Sequence, residues 1–161
     1  MLKTYHKRNL RIAIQLIFLI FSIIYLIYRP FYITKVVGSS MQPTLKTNSL
    51  VLANATDRNY TIGDVVLAEQ NSELIIKRIA FVSGQKIPVV DLGVRRYQPL
   101  PNFKDPEVHM KYLRDHGIDS YMFVVPEGHV FLVGDNETES EDSRTFGSIP
   151  VKNIRAKIIE L

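Results

Sequence analysis

Seventeen consecutive residues without a charge, Ile12 to Tyr28, set the first limit on this chain. They read IAIQLIFLIFSIIYLIY, and only Gln15 and Ser22 are polar without an aromatic ring. As a helix the run spans about 26 Å, the short end of what crosses a bilayer. Arg11 and Arg29 flank it and can reach an interface on their long stems. Tyr25, Tyr28, Phe31 and Tyr32 fit an interfacial aromatic belt. A cleaved secretory leader fits less well, because the run is long for such a segment and YRPFYITK, not a small-residue site, follows it. A buried core helix is the remaining alternative. Lys3, Lys7, Arg8 and Arg11 precede the run and Arg29 and Lys35 follow it. That asymmetry predicts a cytoplasmic basic N-terminus over residues 1–11, a transmembrane helix over 12–28, and an extracytoplasmic body over 29–161.

Charge divides the chain in the same way. No acidic residue precedes Asp57, so the formal net charge of +4 belongs to the N-terminal part. From Val36 onward fourteen of the 20 basic residues face all 16 acidic ones. A slightly acidic body excludes a nucleic-acid binder, which needs its positive charge on the folded domain. The chain has no cysteine, which fits an extracytoplasmic domain that does without disulfides.

Beyond Arg29-Pro30 the pattern is that of strands and turns. YITKVV, SLVLANAT, IGDVVLAE, ELIIKRIAFV, QKIPVVDLG and RRYQPL each read as a short strand. Asp105-Pro106 marks a helix start, and Val108, Tyr112 and Leu113 keep helical spacing as far as Gly117. This predicts a short helical insert within residues 101–122. MFVVPEGHVFLVGDN returns to strands around a Pro-Glu-Gly turn, and SIPVKNIRAKIIEL closes with a strand whose last residues have some helical character. The body is therefore expected to be mainly β, with one core.

Three stretches could carry chemistry. GSSMQPT (38–44) places two serines side by side. A serine hydroxyl needs a neighbouring base before it attacks anything. His6 precedes the apolar run, and His109, His116 and His129 lie in helical or turn contexts with no aspartate at a suggestive spacing. Lys77 is a better base. In ELIIKRIAFV, read as a strand, it shares a face with Ile75, Ile79 and Phe81. Desolvation there penalises the ammonium and lowers the pKa, so a neutral amine becomes available. The competing reading is an edge-strand lysine that reaches water on its stem. Arg78 cannot serve, since a guanidinium stays protonated. The third stretch, GDNETESEDSRTFG (134–147), is acidic. It fails as a calcium loop because Ser140 stands where the turn glycine belongs and Phe146 where the final glutamate belongs. Asp142 and Arg144, two apart between Gly134 and Gly147, are placed to brace each other.

In this order, after an N-terminal apolar run, the three stretches resemble the bacterial type I signal peptidases. The nucleophile motif S-M-x-P-T appears as SMQPT and falls on Ser40, leaving Ser39 as a spacer. The base motif appears as IIKRIAF and falls on Lys77. The motif G-D-N-x-x-x-S-x-D-S-R-x-F-G is matched at every fixed position. The resemblance implies that Ser140 hydrogen-bonds the lysine and that Asp142 and Arg144 support the site. Gly38 stands where some members carry an oxyanion serine, as in many Gram-positive members. The oxyanion hole then falls to backbone N–H groups such as that of Ser40, in the Gly38 region. Gln85, Glu137 and Glu139 depart from the common pattern.

What the resemblance implies is a signal-peptidase-like β-sheet catalytic domain that needs no metal or cofactor. It would cleave signal peptides from exported preproteins after an A-x-A-like end, close to the bilayer and to the secretion translocon. Val37, Met41 and Ile75 are the expected substrate contacts. The alternative is a non-catalytic accessory protein on the same fold, for pilus or surface-protein assembly. That role would free positions 40 and 77 to drift, and both are intact. A self-cleaving serine–lysine regulator would need DNA-binding or cytosolic features, which the apolar run and the acidic body oppose.

Overall fold

A computed structural model describes residues 11–27, 31–90 and 105–159 in full, and the backbone alone at 2–10, 28, 91 and 97–99. The expected break at Arg29-Pro30 and residues 101–104 of the expected insert lie outside the described residues, as does most of RRYQPL. The chain divides into two compact units, residues 1–32 and 33–161.

The first unit is the helix α1, Leu2–Tyr28. Every described side chain from Arg11 to Ile27 is exposed, Phe18 at 72% and Phe21 at 66% among them. Among the described residues no helix is long and apolar enough to cross a membrane. The expected helix is therefore present, but its spanning a bilayer is not a property the structure carries.

The second unit is mostly β, as the short alternating runs predict. In chain order β1 is Phe31–Lys35, whose first two residues fall before the boundary of that unit, β2 Leu50–Asn54, β3 Val65–Gln70, β4 Glu73–Val82 and β5 Lys86–Asp91. Then come β6 Tyr97–Pro99, α2 Pro106–Asp115, β7 Ser120–Val124 and β8 His129–Val133. The last elements are α3 Ser143–Phe146, β9 Ile149–Pro150 and β10 Ile154–Ile159. The closing run thus passes from β9 through a 3-10 turn at Val151–Asn153 into strand as far as Ile159, with no helical end among the described residues. A seven-stranded sheet has the order β1-β2-β10-β3-β4-β8-β9, and β6-β5-β7 form a second, three-stranded sheet.

The helix α2 starts where Asp-Pro predicts. The Asp105 carboxylate caps it, accepting from the N–H groups of Glu107 at 2.9 Å and Val108 at 3.4 Å. Its inner face presents Met110 and Leu113, one helical turn apart, and both are buried. The insert is narrower than expected, because Ser120–Val124 already pair with β5.

Strand β4 positions the chemistry. It pairs antiparallel with β3, Lys77 opposite Val66 and Ile75 opposite Ala68. Ile75, Ile79, Val66 and Ala68 belong to one apolar cluster, with Leu132, Val130, Ile149 and Ile154. Lys77 therefore emerges on an apolar face, with an isoleucine two residues away on either side. On its other edge β4 pairs with β8, where the register shifts between Ile79 and Phe81. That bulge moves Phe81 into a different cluster, against Phe131. The expected single face from Ile75 to Phe81 accordingly ends at Ile79.

Candidate active site

The loop carrying Ser40 is closed by backbone bonds and held down by two apolar plugs. The Val36 N–H donates to Ser49 O and the Asn48 N–H to Val36 O, each at 2.9 Å. The Thr47 hydroxyl donates to Gly38 O at 2.6 Å. Gly38 has φ of +85°, a left-handed conformation that glycine adopts without cost. Met41 and Leu45 drop into a core cluster with Val36, Val51, Ala53, Val65, Leu67, Ala156 and Ile158.

This corrects one expected substrate contact. Met41 is 1% exposed, so its side chain fixes the loop and does not meet a substrate. Burying a long apolar side chain directly after the serine is what holds the serine at the surface of the core. Val37, at 85% exposure, is open to contact, and Ile75 is half-buried against the β3–β4 cluster.

Ser40 and Lys77, thirty-seven positions apart, meet. Lys77 Nζ and Ser40 Oγ share a hydrogen bond of 2.6 Å. The lysine is 5% exposed. Burial is the main influence on it and pushes its pKa below the ordinary 10.5; the Asp142 charge opposes this, the Arg144 charge reinforces it, and Glu141 opposes it. An amine that loses its proton more readily than usual, in contact with a hydroxyl, can accept that hydroxyl's proton. Among the described residues the Ser40 N–H donates to no acceptor, which leaves it available to a developing oxyanion.

The loop after β8 closes the site from the other side. Gly134 packs so tightly that a Cβ there would lie 2.2 Å from Ser140 Oγ and 2.6 Å from Ser40 O. The Asn136 N–H donates to Ser40 O at 3.0 Å, and its side-chain amide donates to Ser39 O at 3.3 Å. Asp142 is fully buried. It accepts from the Ser140 hydroxyl at 2.5 Å, the Gly134 N–H at 2.8 Å, and the Arg144 guanidinium at 2.9 and 2.7 Å. It also caps α3, accepting from the Arg144 N–H at 3.1 Å. Ser140 therefore donates to Asp142, where the resemblance implied a bond to the lysine.

Burial opposes the charge on Asp142. Hydrogen bonds from Arg144, Ser140 and Gly134 overcome that and hold its carboxyl below the usual 3.8. A carboxyl depressed on folding adds stability above its unfolded pKa, and that stability is lost as pH falls through the folded value. Asp142→Asn is expected to cost about 3–5 kcal/mol, the loss typical of breaking a buried pair. It should also flatten the acid limb of stability below pH 3.8, read from urea midpoints at successive pH values.

A second brace was not anticipated from the sequence. Arg78, on the opposite face of β4 from Lys77, makes a bidentate pair with Asp135, at 2.8 and 2.6 Å. Its remaining donors reach Gly63 O at 2.7 Å and Thr44 Oγ1 at 3.5 Å. Burial works against the Asp135 charge, but bonds from Arg78 and Thr44 hold its carboxyl below the ordinary value. Thr44 belongs to the nucleophile loop, so this pair ties that loop to β4 and to the loop after β8. A signal existed, in an arginine beside the lysine and an aspartate after Gly134, but nothing local says that they meet. Arg78→Met is expected to destabilise the fold by about 1–3 kcal/mol, a figure reduced for partial exposure, with a lower urea midpoint as the readout.

Residues 7–160 match the family described as signal peptidase, peptidase S26. Mitochondrial inner membrane protease subunit 1 of Homo sapiens is 34% identical over 75% of this chain and 63% of its own length. The Saccharomyces cerevisiae protein of the same name is 33% identical, over 78% and 64%. The chain thus spans a little under two thirds of these two relatives. Probable signal peptidase I-1 of Synechocystis is 26% identical over 92% of this chain. Mitochondrial and cyanobacterial relatives alike match, and the Gram-positive affinity expected from Gly38 is not established by them. Members of the S26 family are serine peptidases, and this chain belongs to that signal peptidase family.

Proposed function

We propose that this chain is a membrane-anchored signal peptidase that cuts exported preproteins after small residues, using Ser40 as nucleophile and Lys77 as general base. The observation that carries the reading is the 2.6 Å contact between Lys77 Nζ and Ser40 Oγ at a buried lysine. In the proposed cycle Ser40 Oγ attacks the scissile carbonyl carbon while its proton moves to Nζ. The oxyanion faces the Ser40 N–H. The C–N bond breaks, the leaving amine takes the proton from Nζ, and an acyl-serine remains. Lys77 then removes a proton from water, which attacks the ester carbonyl; the C–Oγ bond breaks, Nζ returns the proton to Ser40 Oγ, and the acid is released.

Anchoring is supported by α1. A helix this apolar and exposed on every described side needs a nonpolar environment, which a bilayer supplies. With the translocon as neighbour, a preprotein would arrive with its own apolar segment in the same membrane. Gly38, which leaves the oxyanion to the backbone, favours a bacterial Gram-positive type of site.

The test is cleavage by the purified chain in detergent micelles of a preprotein ending its leader in Ala-x-Ala, with the new N-terminus read by mass spectrometry. Cleavage at that point by the wild type and none by Ser40→Ala is expected; an inert wild type overturns the reading. The rate should rise with pH as Lys77 deprotonates, with a midpoint below 10.5. A rate independent of pH over the whole range below that value in which the chain stays folded would rule out a neutral-lysine base.

A further inference from the structure

We infer that Asn136 is a positioning residue that aims the oxyanion donor of this enzyme; the inference rests on the Ser40–Lys77 reading above. The Ser39 carbonyl and the Ser40 N–H belong to one peptide unit, which is planar and rigid, and in a trans unit they point in opposite directions. Whatever holds Ser39 O therefore also sets the direction of the Ser40 N–H. Two donors converge on that oxygen, the Gln42 N–H at 3.0 Å from within the turn and the Asn136 side-chain amide at 3.3 Å from across the site.

Asn136 holds the next peptide unit as well, through its own N–H to Ser40 O at 3.0 Å. The two peptide planes that flank the nucleophile's Cα are thus both gripped by one residue. The orientation of the side-chain amide is settled by Ser39 O, which can only accept, since a flipped amide would set two oxygens against each other. Its Oδ1 then accepts from the Thr138 hydroxyl at 3.0 Å, a partner that could equally accept and so does not fix the orientation.

The Ser40 N–H itself has no acceptor among the described residues. A donor left open and pointed by its neighbours is preorganised, so its direction need not be found anew in each transition state. The backbone bond from position 136 survives substitution by alanine or aspartate, but the side-chain bond to Ser39 does not. Position 136 then affects catalysis through the tilt of one peptide plane.

The experiment uses the full chain in detergent micelles, with Asn136→Ala and Asn136→Asp. The second keeps an acceptor for Thr138, but it loses the donor and sets a charged oxygen against Ser39 O. Both are expected to lower kcat by about tenfold to a hundredfold, less than the ~10²–10³ lost when an oxyanion donor is removed outright. In Asn136→Ala, which adds no charge near Lys77, KM and the pH midpoint of the rate should stay at wild-type values. A peptide aldehyde ending in alanine forms a tetrahedral adduct with the serine, and its affinity should fall in step with kcat. Thr138→Val, which removes only the bond to Asn136 Oδ1, should leave kcat within about twofold; a loss equal to that of Asn136→Ala would assign the effect to loop folding and overturn the inference. So would wild-type kcat in both Asn136 variants, or a fall in kcat with unchanged aldehyde affinity. If the wild type neither cleaves nor binds the aldehyde, the dyad reading itself fails and takes this inference with it.

Discussion

Replacing Lys77 by methionine is expected to abolish cleavage and to raise the melting temperature in the same variant. The loss follows from geometry: among the described residues Lys77 Nζ is the group hydrogen-bonded to Ser40 Oγ, at 2.6 Å, and it is the base placed to take its proton. General-base catalysis alone accounts for about 10²–10⁴ in rate, and the serine is a poor nucleophile without it. The gain follows from burial. The lysine is 5% exposed on a face shared with Ile75 and Ile79 and lies opposite Val66, and burial, which penalises its charged form, is the main reason its pKa falls. Methionine has a similar length and no charge to desolvate.

The sign of the pH dependence gives a second readout. The folded chain releases the Lys77 proton more readily than the unfolded chain does. Between the folded pKa and 10.5 the unfolded state therefore binds more protons, and wild-type stability rises with pH there relative to the variant. The difference in melting temperature between Lys77→Met and wild type should be largest below the folded pKa and shrink as pH rises from there toward 10.5. Each kcal/mol corresponds to about 2–4 °C in a chain of this size. A variant that melts below wild type at every pH would show that the lysine stabilises the fold, contrary to its burial. Ser40→Ala makes the same catalytic prediction without the gain, since it leaves the buried amine in place.

Gly134→Ala is expected to remove activity through a single methyl group. The backbone at Gly134 is not in the left-handed region, so conformation is no obstacle and only space matters. The added Cβ would meet Ser140 Oγ at 2.2 Å, Ser140 Cβ at 2.6 Å and Ser40 O at 2.6 Å. A side-chain tip can swing away, but the Ser40 carbonyl cannot move without carrying the nucleophile with it. Overpacking of this kind costs about 1–3 kcal/mol in stability. Its effect on rate is larger, because a displacement of about 1 Å at the reacting atoms can cost 10²-fold. Urea midpoint and kcat, measured together, check this. Wild-type values of both would mean that the loop after β8 lies farther from Ser40 than the structure places it.

Much of this site was legible along the chain, and the reason differs by residue. Lys77 stood out because strand alternation is local: side chains two apart share a face, and both flanking residues on that face are isoleucine. Asp105 announced α2 because capping is completed within three residues. The S-M-x-P-T and G-D-N motifs marked Ser40 and the 134–147 loop through resemblance. The role of Met41 was misjudged for a definite reason. Proximity to a nucleophile says nothing about which way a side chain turns, and the turn after Gly38 sends Met41 into the core formed with Ile158 and Ala156 from the far end of the chain. The grip of Arg78 on Asp135 and of Asn136 on Ser39 and Ser40 also joins distant segments.

The sequence by itself determined the apolar helix, the mainly β body, the strand that carries the lysine, and which serine the motif selects. Each of these depends on residues within a few positions of one another. The tertiary structure alone decided that β10 lies between β2 and β3, that β5, β6 and β7 form a separate sheet, and that Ser140 serves Asp142. It alone also decided how deeply Lys77 is buried. An alternating pattern can put a lysine on an apolar face, but desolvation requires that face to be covered. The cover comes from the 36–49 loop and the 134–144 loop, brought together by pairings tens of residues apart in the chain.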